Sequence, residues 1–425
     1  MRYLAFLAFL LVPFTMIRAQ DQTLEYFIAR AQENAPVLKA NNNLQKVGEL
    51  QQKIILAQSK AFQVNATSEV MVSPYFDNKG RVIDITTNPS PTAYGYDVGI
   101  TNGGLYSAQL NVTKNLFNQA AVHNLLFQNK IQGNAIALSS EETTHNLIRT
   151  ITDTYVLAFQ LQLQENYTQD LLNDLEKRLQ VVEILVKRGV LMESDFLLLQ
   201  LDIEGKKLEL QQIRNNFQTI SNQLYSLSGL RAGSMARLSE PYFDSSEDPA
   251  SFFYEKKFEN DSLLVVADQS LYENQYKPQL SAYANTGLNA VELQNLEHRV
   301  GVSAGLRLTV PIYDGRQRKY NALQSVLKRE SLTYYKEHSK IQLENTLKNI
   351  RNQIKDLELN RLSIEKQLRQ QEKILEIYKG KLVQGQVSIV DYLNVVQNYK
   401  YNVQTKLQMQ TNRWLLQSQY NFMNW

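Results

Sequence analysis

Two aspartates are set apart by what precedes them. Gly189 leads to Asp195-Phe196-Leu197, and Gly385 leads to Asp391-Tyr392-Leu393, so a Gly-x5-Asp-aromatic-Leu block recurs at an offset of 196 residues. Glycine supplies the backbone freedom that a sharp helical reversal needs, and an Asp in the following early turn is favoured by the positive end of the helix dipole. The chemistry open to such carboxylates is electrostatic rather than covalent. His123, His145, His298 and His338 are scattered, and the chain has no HExxH, no nucleophile elbow and no phosphate loop. With no cysteine, a thiolate metal site and a disulfide framework are both excluded. No enzyme, metal centre or cofactor is expected.

These blocks must be carried by helices that reverse at the glycines. Between Asn118 and Leu230 there is no proline. Leu172, Leu175, Leu179, Val182 and Val186 step 3, 4, 3, 4, as do Leu210, Ile213, Phe217, Ile220 and Leu224. Those are the 3.5-residue seams of packed helices. The break falls at Lys187-Arg188-Gly189. Arms of ~40–70 residues would span roughly 60–100 Å at 1.5 Å per residue. A second hairpin fits 315–425, breaking near Gly380–Gly385.

Each hairpin follows a strand. In Arg299–Gly315, Val300, Val302, Ala304, Leu306, Leu308 and Val310 alternate with Gly301, Ser303, Gly305, Arg307 and Thr309. That is the period of a two-faced sheet. Pro311 ends the ladder, and Asp314-Gly315 turns the chain into helix. Asn111–Asn118 aligns with Arg307–Asp314 at the same offset of 196 residues. Two blocks sharing one offset mark a tandem duplication of strand, strand and long helical hairpin.

The expected organisation is as follows. Residues 1–19 form a signal peptide, with Arg2, an apolar run from Leu4 to Ile17, and Ala19-Gln20 at the cleavage point. A first repeat covers 20–230: a helix over Gln22–Ala61 that kinks at Pro36, strands at about 62–76 and 104–117, and a hairpin over 118–230. A linker covers 231–258, with Pro241, Pro249 and the acidic run Ser245–Asp248. The second repeat covers 259–425, with a helix over about Asp261–Tyr276 and strands at about 278–290 and 299–313.

The 425 residues are 43% hydrophobic and 20% charged, with a net charge of +3 that gives no argument for nucleic-acid binding. Loss of Arg2 and Arg18 with the signal would leave an excess of about one positive charge. No run of ~18 or more apolar residues follows the signal, so no transmembrane helix is expected. An exported chain of this kind is either soluble beyond the inner membrane or spans the outer membrane as strands, whose hydropathy signal is weak.

The signal peptide, the two strand–strand–hairpin repeats, the Pro311-Ile312-Tyr313-Asp314-Gly315 turn and the twin Gly-x5-Asp blocks together resemble the TolC-like outer-membrane efflux channel family, over essentially the whole mature chain. The resemblance implies an α+β membrane protein in which a homotrimer shares one transmembrane β-barrel, continuous with a long periplasmic α-helical coiled-coil barrel. Its partners would be outer-membrane lipid, a periplasmic adaptor and an inner-membrane transporter. It also implies roles for particular residues. Gly189, Val190, Leu191, Gly385, Gln386 and Val387 would form the periplasmic tips that meet the adaptor. Asp391 would ring the narrowest point of the pore. The family's second acidic position is Asn394 here, which halves the ring. Asp195 matches a latching position in some members, but the basic partner position is Val387. Val302, Leu306 and Leu308 would face lipid, with Arg307 and Thr309 on the lumen side. Seven Met and four His, all dispersed, argue weakly against metal export. The competing reading is a soluble periplasmic coiled-coil adaptor or scaffold, which should carry a Gly-rich β-sandwich between the arms of a single hairpin.

Overall fold

A computed structural model describes residues 22–96, 106–233, 237–243 and 253–425. The signal peptide, residues 97–105 of the loop and the start of the following strand, the acidic run Ser245–Asp248 and Pro249 lie outside the described residues. Helices α1 (Leu24–Asn34) and α2 (Pro36–Lys60) meet at Ala35, whose ψ of 121° is the extended geometry that a following proline imposes. Strands β1 (Gln63–Val70) to β4 follow, then β5 (Tyr106–Leu116) and the hairpin α3 (Gln119–Lys187) and α4 (Glu193–Leu227). Helix α5 (Phe253–Asn274), β6 (Gln279–Ala290), a short 3-10 turn at Leu296–His298, β7 (Val300–Thr309), α6 (Gln317–Val383) and α7 (Ile389–Met423) complete the chain.

Three boundaries differ from expectation, one being the strand expected over about 299–313, which ends at Thr309 ahead of Pro311. The strand expected over 62–76 stops at Val70. Tyr75–Asn78 (β2), Arg81–Asp84 (β3) and Tyr94–Gly95 (β4) form a separate three-stranded sheet in the order β3-β2-β4. Its anchor is Asn78, which is buried, donates to Asp84 at 2.6 Å and accepts from the Ser90 backbone N–H at 2.5 Å. Helix α5 begins at Phe253, inside the span read as linker. Phe253 is buried and stacks on Trp425 at 3.9 Å, a contact between distant parts of the chain that local composition does not encode.

The chain divides into two compact units. One contains Asn41–Ser139 and Tyr254–His338, with both sheets. Its main sheet has the order β1-β5-β6-β7, antiparallel throughout. Residues paired directly across an antiparallel sheet share a face. The register therefore puts Val64, Val112, Ala284 and Ala304 in one row, and Ala66, Leu110, Thr286 and Val302 in another. On the opposite face Asn65, Asn111, Asn285 and Ser303 share a row, and Asn111 donates to Thr67 at 2.8 Å. The apolar face is uncovered: Val64, Val302, Leu306 and Leu308 are all exposed, Val302 by 84%. Among the described residues, strands β1 and β7 each pair on one side only. Gly287 (φ 141°) lies so close to the β5 backbone at Ala108 that a side chain there would collide with it.

The strand-to-helix turn in this unit is held by Asp314. Its carboxylate accepts from the backbone N–H groups of Arg318 (2.7 Å) and Arg316 (2.8 Å); the Arg318 bond first, then one from the Tyr276 hydroxyl and the Arg316 bond, hold it below the usual carboxylate range. Gly315 has φ 66°, while Pro311 and Tyr313 precede it, with Tyr313 exposed.

The other unit takes the chain up to Ala40, Ser140–Phe253 and Ser339–Trp425. Two apolar cores lie among its described residues. In the first, Phe27 and Ala31 of α1 pack on Ile151, Tyr155 and Phe159 of α3, Leu224 of α4 and Trp414 of α7. The Gln162 side chain clamps the strap at Leu238, donating to its carbonyl (2.9 Å) and accepting from its N–H (2.8 Å). The second core lies at the helical reversals. No helix among the described residues is long and apolar enough to cross a membrane.

Candidate functional site

The two reversals are built alike. At the end of α3, Gly189 (φ 75°) donates to the Val186 carbonyl at 2.9 Å, and Val190 donates to the Leu185 carbonyl at 2.9 Å. At the end of α6, Gly385 (φ 71°) donates to Leu382 at 3.0 Å, and Gln386 donates to Lys381 at 2.9 Å. Both are Schellman ends, in which a left-handed residue satisfies the last carbonyls of the helix. Gly380, placed near the break by sequence, lies inside α6.

The reversals touch. A Cβ on Gly385 would lie 2.5 Å from Val190 Cγ1, whereas one on Gly189 would meet nothing within 4 Å. Both glycines have φ values that L side chains avoid, at a cost of about 1–2 kcal/mol. Gly189→Ala should therefore cost only the backbone term. Gly385→Ala adds a clash and should lower the unfolding midpoint further in a detergent-solubilised melt. Equal loss in the two variants would refute the contact.

Beneath the reversals, Leu172, Leu175 and Val182 of α3, Leu199, Ile203 and Leu210 of α4, Leu375 and Leu382 of α6, and Ile389, Tyr392 and Val396 of α7 form one buried cluster. Leu191 and Val387 pack against it, and Gln386 is exposed. Val387, standing where a basic latch partner was sought, is thus a packing residue.

Both aspartates sit at the third position of their helices. Asp391 is exposed: its backbone N–H donates to Ser388 Oγ at 3.1 Å, and its carboxylate accepts from that hydroxyl at 2.7 Å. Asp195 is half-buried and accepts from the Met192 backbone N–H at 3.0 Å. These are local helix-capping contacts, the Asp195 one being the carboxylate half of a capping box and the Asp391 backbone bond the N-cap half, and they account for the residue type without any role in a pore. Asn394, one turn beyond Asp391, is exposed.

Polar groups not singled out by the sequence link the hairpins. Asp174 of α3 lies 3.4 Å from Lys379 of α6, 3.4 Å from Arg178, and 3.5 Å from the hydroxyl of the buried Tyr392, whose titration burial pushes up. Further along, Lys400 of α7 donates to Glu209 of α4, which is also 3.8 Å from Lys206, and Lys206 is 3.6 Å from Asp202. Lys206 and Lys400 are both buried, and desolvation lowers the Lys400 ammonium against the opposing pull of Glu209. The only sequence signal was the i, i+4 and i, i+3 spacing of Asp202, Lys206 and Glu209, which also describes an ordinary solvated helix face. Among the described residues no group of three or more His, Cys, Asp or Glu could hold a metal ion.

A chain of one two-faced, four-stranded sheet and two long helical hairpins has the fold of solved outer-membrane channel proteins. The outer membrane protein VceC of Vibrio cholerae superposes with a TM-score of 0.69 at 14% identity, over 94% of this chain and 96% of that one. The CmeC outer membrane channel of Campylobacter jejuni gives 0.69 at 14%, over 96% and 86%. The open state of the MtrE outer membrane channel of Neisseria gonorrhoeae gives 0.68 at 16%, over 94% and 88%. No family profile and no curated protein matches the sequence itself. The single chain, mostly helical with a smaller sheet, thus matches the fold of outer-membrane channels that the resemblance implied.

Proposed function

We propose that this protein is an outer-membrane exit duct of a tripartite efflux or type I secretion system in a Gram-negative bacterium. The observation that carries this reading is the register of the four-stranded sheet, which sorts side chains into an uncovered apolar face and an amide- and hydroxyl-rich face while leaving β1 and β7 unpaired at the edges. Lipid tolerates neither open edges nor four strands that cannot close, so several copies must share one barrel. The resemblance to TolC-like channels supports a homotrimer. Exposed apolar residues on the first half of α6, among them Leu323, Leu327 and Tyr334, fit helices that meet other copies. The tips at Gly189–Leu191 and Gly385–Val387 are the surface for a periplasmic adaptor, which couples the duct to an inner-membrane pump. Asp391, exposed at its reversal, lines the constriction, where repeated carboxylates focus negative potential. A soluble adaptor is not favoured, because the chain carries two hairpins on one sheet.

The test is planar-bilayer conductance of the detergent-purified mature protein, wild type beside Asp391→Asn. Small, long-lived, cation-preferring openings are expected, with the preference reduced in the variant. Unchanged selectivity would remove Asp391 from the constriction. A protein that needs no detergent and never conducts would overturn the duct.

A further inference from the structure

The four paired strands carry only three charged side chains: Glu69, Lys114 and Arg307. Lys114 pairs with Ala282, opposite Leu306, on the apolar face, and its ammonium rests 4.4 Å from the Phe62 ring centre at the helical end of the strands. Arg307 pairs with Ser281, opposite Asn115, on the polar face, also near the helical end. Glu69 lies on that same face, opposite Ser107, at the far end.

The surroundings of Arg307 are built for a held cation. Its guanidinium carbon is 5.6 Å from the centre of the Tyr283 ring. That ring lies over Gly305, where a Cβ would come within 2.6 Å of the Tyr283 hydroxyl, so the missing side chain makes room for the ring. Its neighbours on this face, Asn115, Ser281, Thr113 and Thr309, are uncharged. No carboxylate lies within ion-pair distance of Arg307 among the described residues. A guanidinium keeps its charge at all working pH values, and its planar fork matches carboxylate, sulfonate and phosphate oxygens while one face stacks on an aromatic ring.

We infer that Arg307, braced on Tyr283, is an anion-recognition point at the helical mouth of the barrel, where it engages the acidic group of organic anions on their way through the duct. This rests on the shared-barrel reading above, which supplies one such guanidinium per copy. Low-dielectric walls would strengthen the field of that ring inside the lumen. The duct then has two charge filters of opposite sign, one of carboxylates and one of guanidiniums.

The experiment is block of conductance by pyrene tetrasulfonate, added on the side of the strand loops to full-length channels in planar bilayers. In Arg307→Gln the blocking concentration should rise about tenfold or more, the loss expected when charge-assisted hydrogen bonds are removed. Conductance in plain salt should change little, and Glu69→Gln should not weaken block. Arg307→Lys, which keeps the charge without the fork, should lose block severalfold, and it carries the test if the Gln variant fails to assemble. Equal block in wild type and variants would overturn the inference while leaving the duct standing. A wild type that never conducts would instead remove the shared barrel, and the anion site with it.

Discussion

Glu209→Leu is expected to destabilise the packing of α4 against α7 by about 2–3 kcal/mol, below the usual range for a broken buried pair because the Glu209 side chain is 25% exposed. The variant leaves the Lys400 ammonium, with its side chain only 11% exposed, without its carboxylate partner, and Lys206, 9% exposed, with Asp202 alone. Gln404, 3.4 Å from Glu209, and Gln397, 3.1 Å from Asp202, would have to reorganise as well. Adding Lys400→Met should restore most of the loss, because removing both partners of a buried pair leaves no stranded charge and adds apolar contact. Urea unfolding of the detergent-solubilised protein, read as a double-mutant cycle, measures both effects. Additive losses in the double variant would show that Glu209 and Lys400 are not coupled.

The second large effect concerns the uncovered sheet face. Val302→Arg puts a guanidinium on that face in a row with Thr286, Leu110 and Ala66, close to the middle of the strands. A cation on the lipid side near the midplane of a barrel costs about 2–4 kcal/mol, and each copy sharing the barrel would bear that cost. Insertion into bilayers and recovery of the folded oligomer should therefore fall steeply. Ser303→Arg, one residue on, points to the polar face and should insert nearly as well as the wild type. The comparison separates a membrane barrel from a soluble sheet. If both variants, or neither, lose insertion, the assignment of faces is wrong.

The two glycine reversals show how a local signal survives folding. A left-handed residue at a helix end is met by glycine wherever the end lies, so Gly189 and Gly385 could be placed from sequence. The leucine seams were legible for a similar reason, and Leu172, Leu175 and Val182 are indeed buried. Asp391 and Asp195 were legible as residues of an early helical turn. Their capping contacts are local too, which is why sequence alone could not say whether they do anything more. The small sheet β2–β4 was missed because Asn78 gains its partners, Asp84 and Ser90, only once the turn has formed.

By itself, then, the sequence determined the two faces of each strand, the sites of both helical reversals, the packing stripes of the hairpins and the absence of any motif for catalysis. Each of these follows from a period or a backbone preference spanning a few residues. The tertiary structure alone decided which strand pairs with which. Joining β5 to β6 brings Tyr106 beside Ala290 and merges strands from two distant stretches into one sheet. It also brought Lys400 to Glu209, seated Gly385 on Val190 and, through the pairing of β6 with β7, laid Tyr283 over Gly305 beneath Arg307. These contacts join residues far apart in the chain. Their energies come from register and burial, and neither is defined until the segments meet.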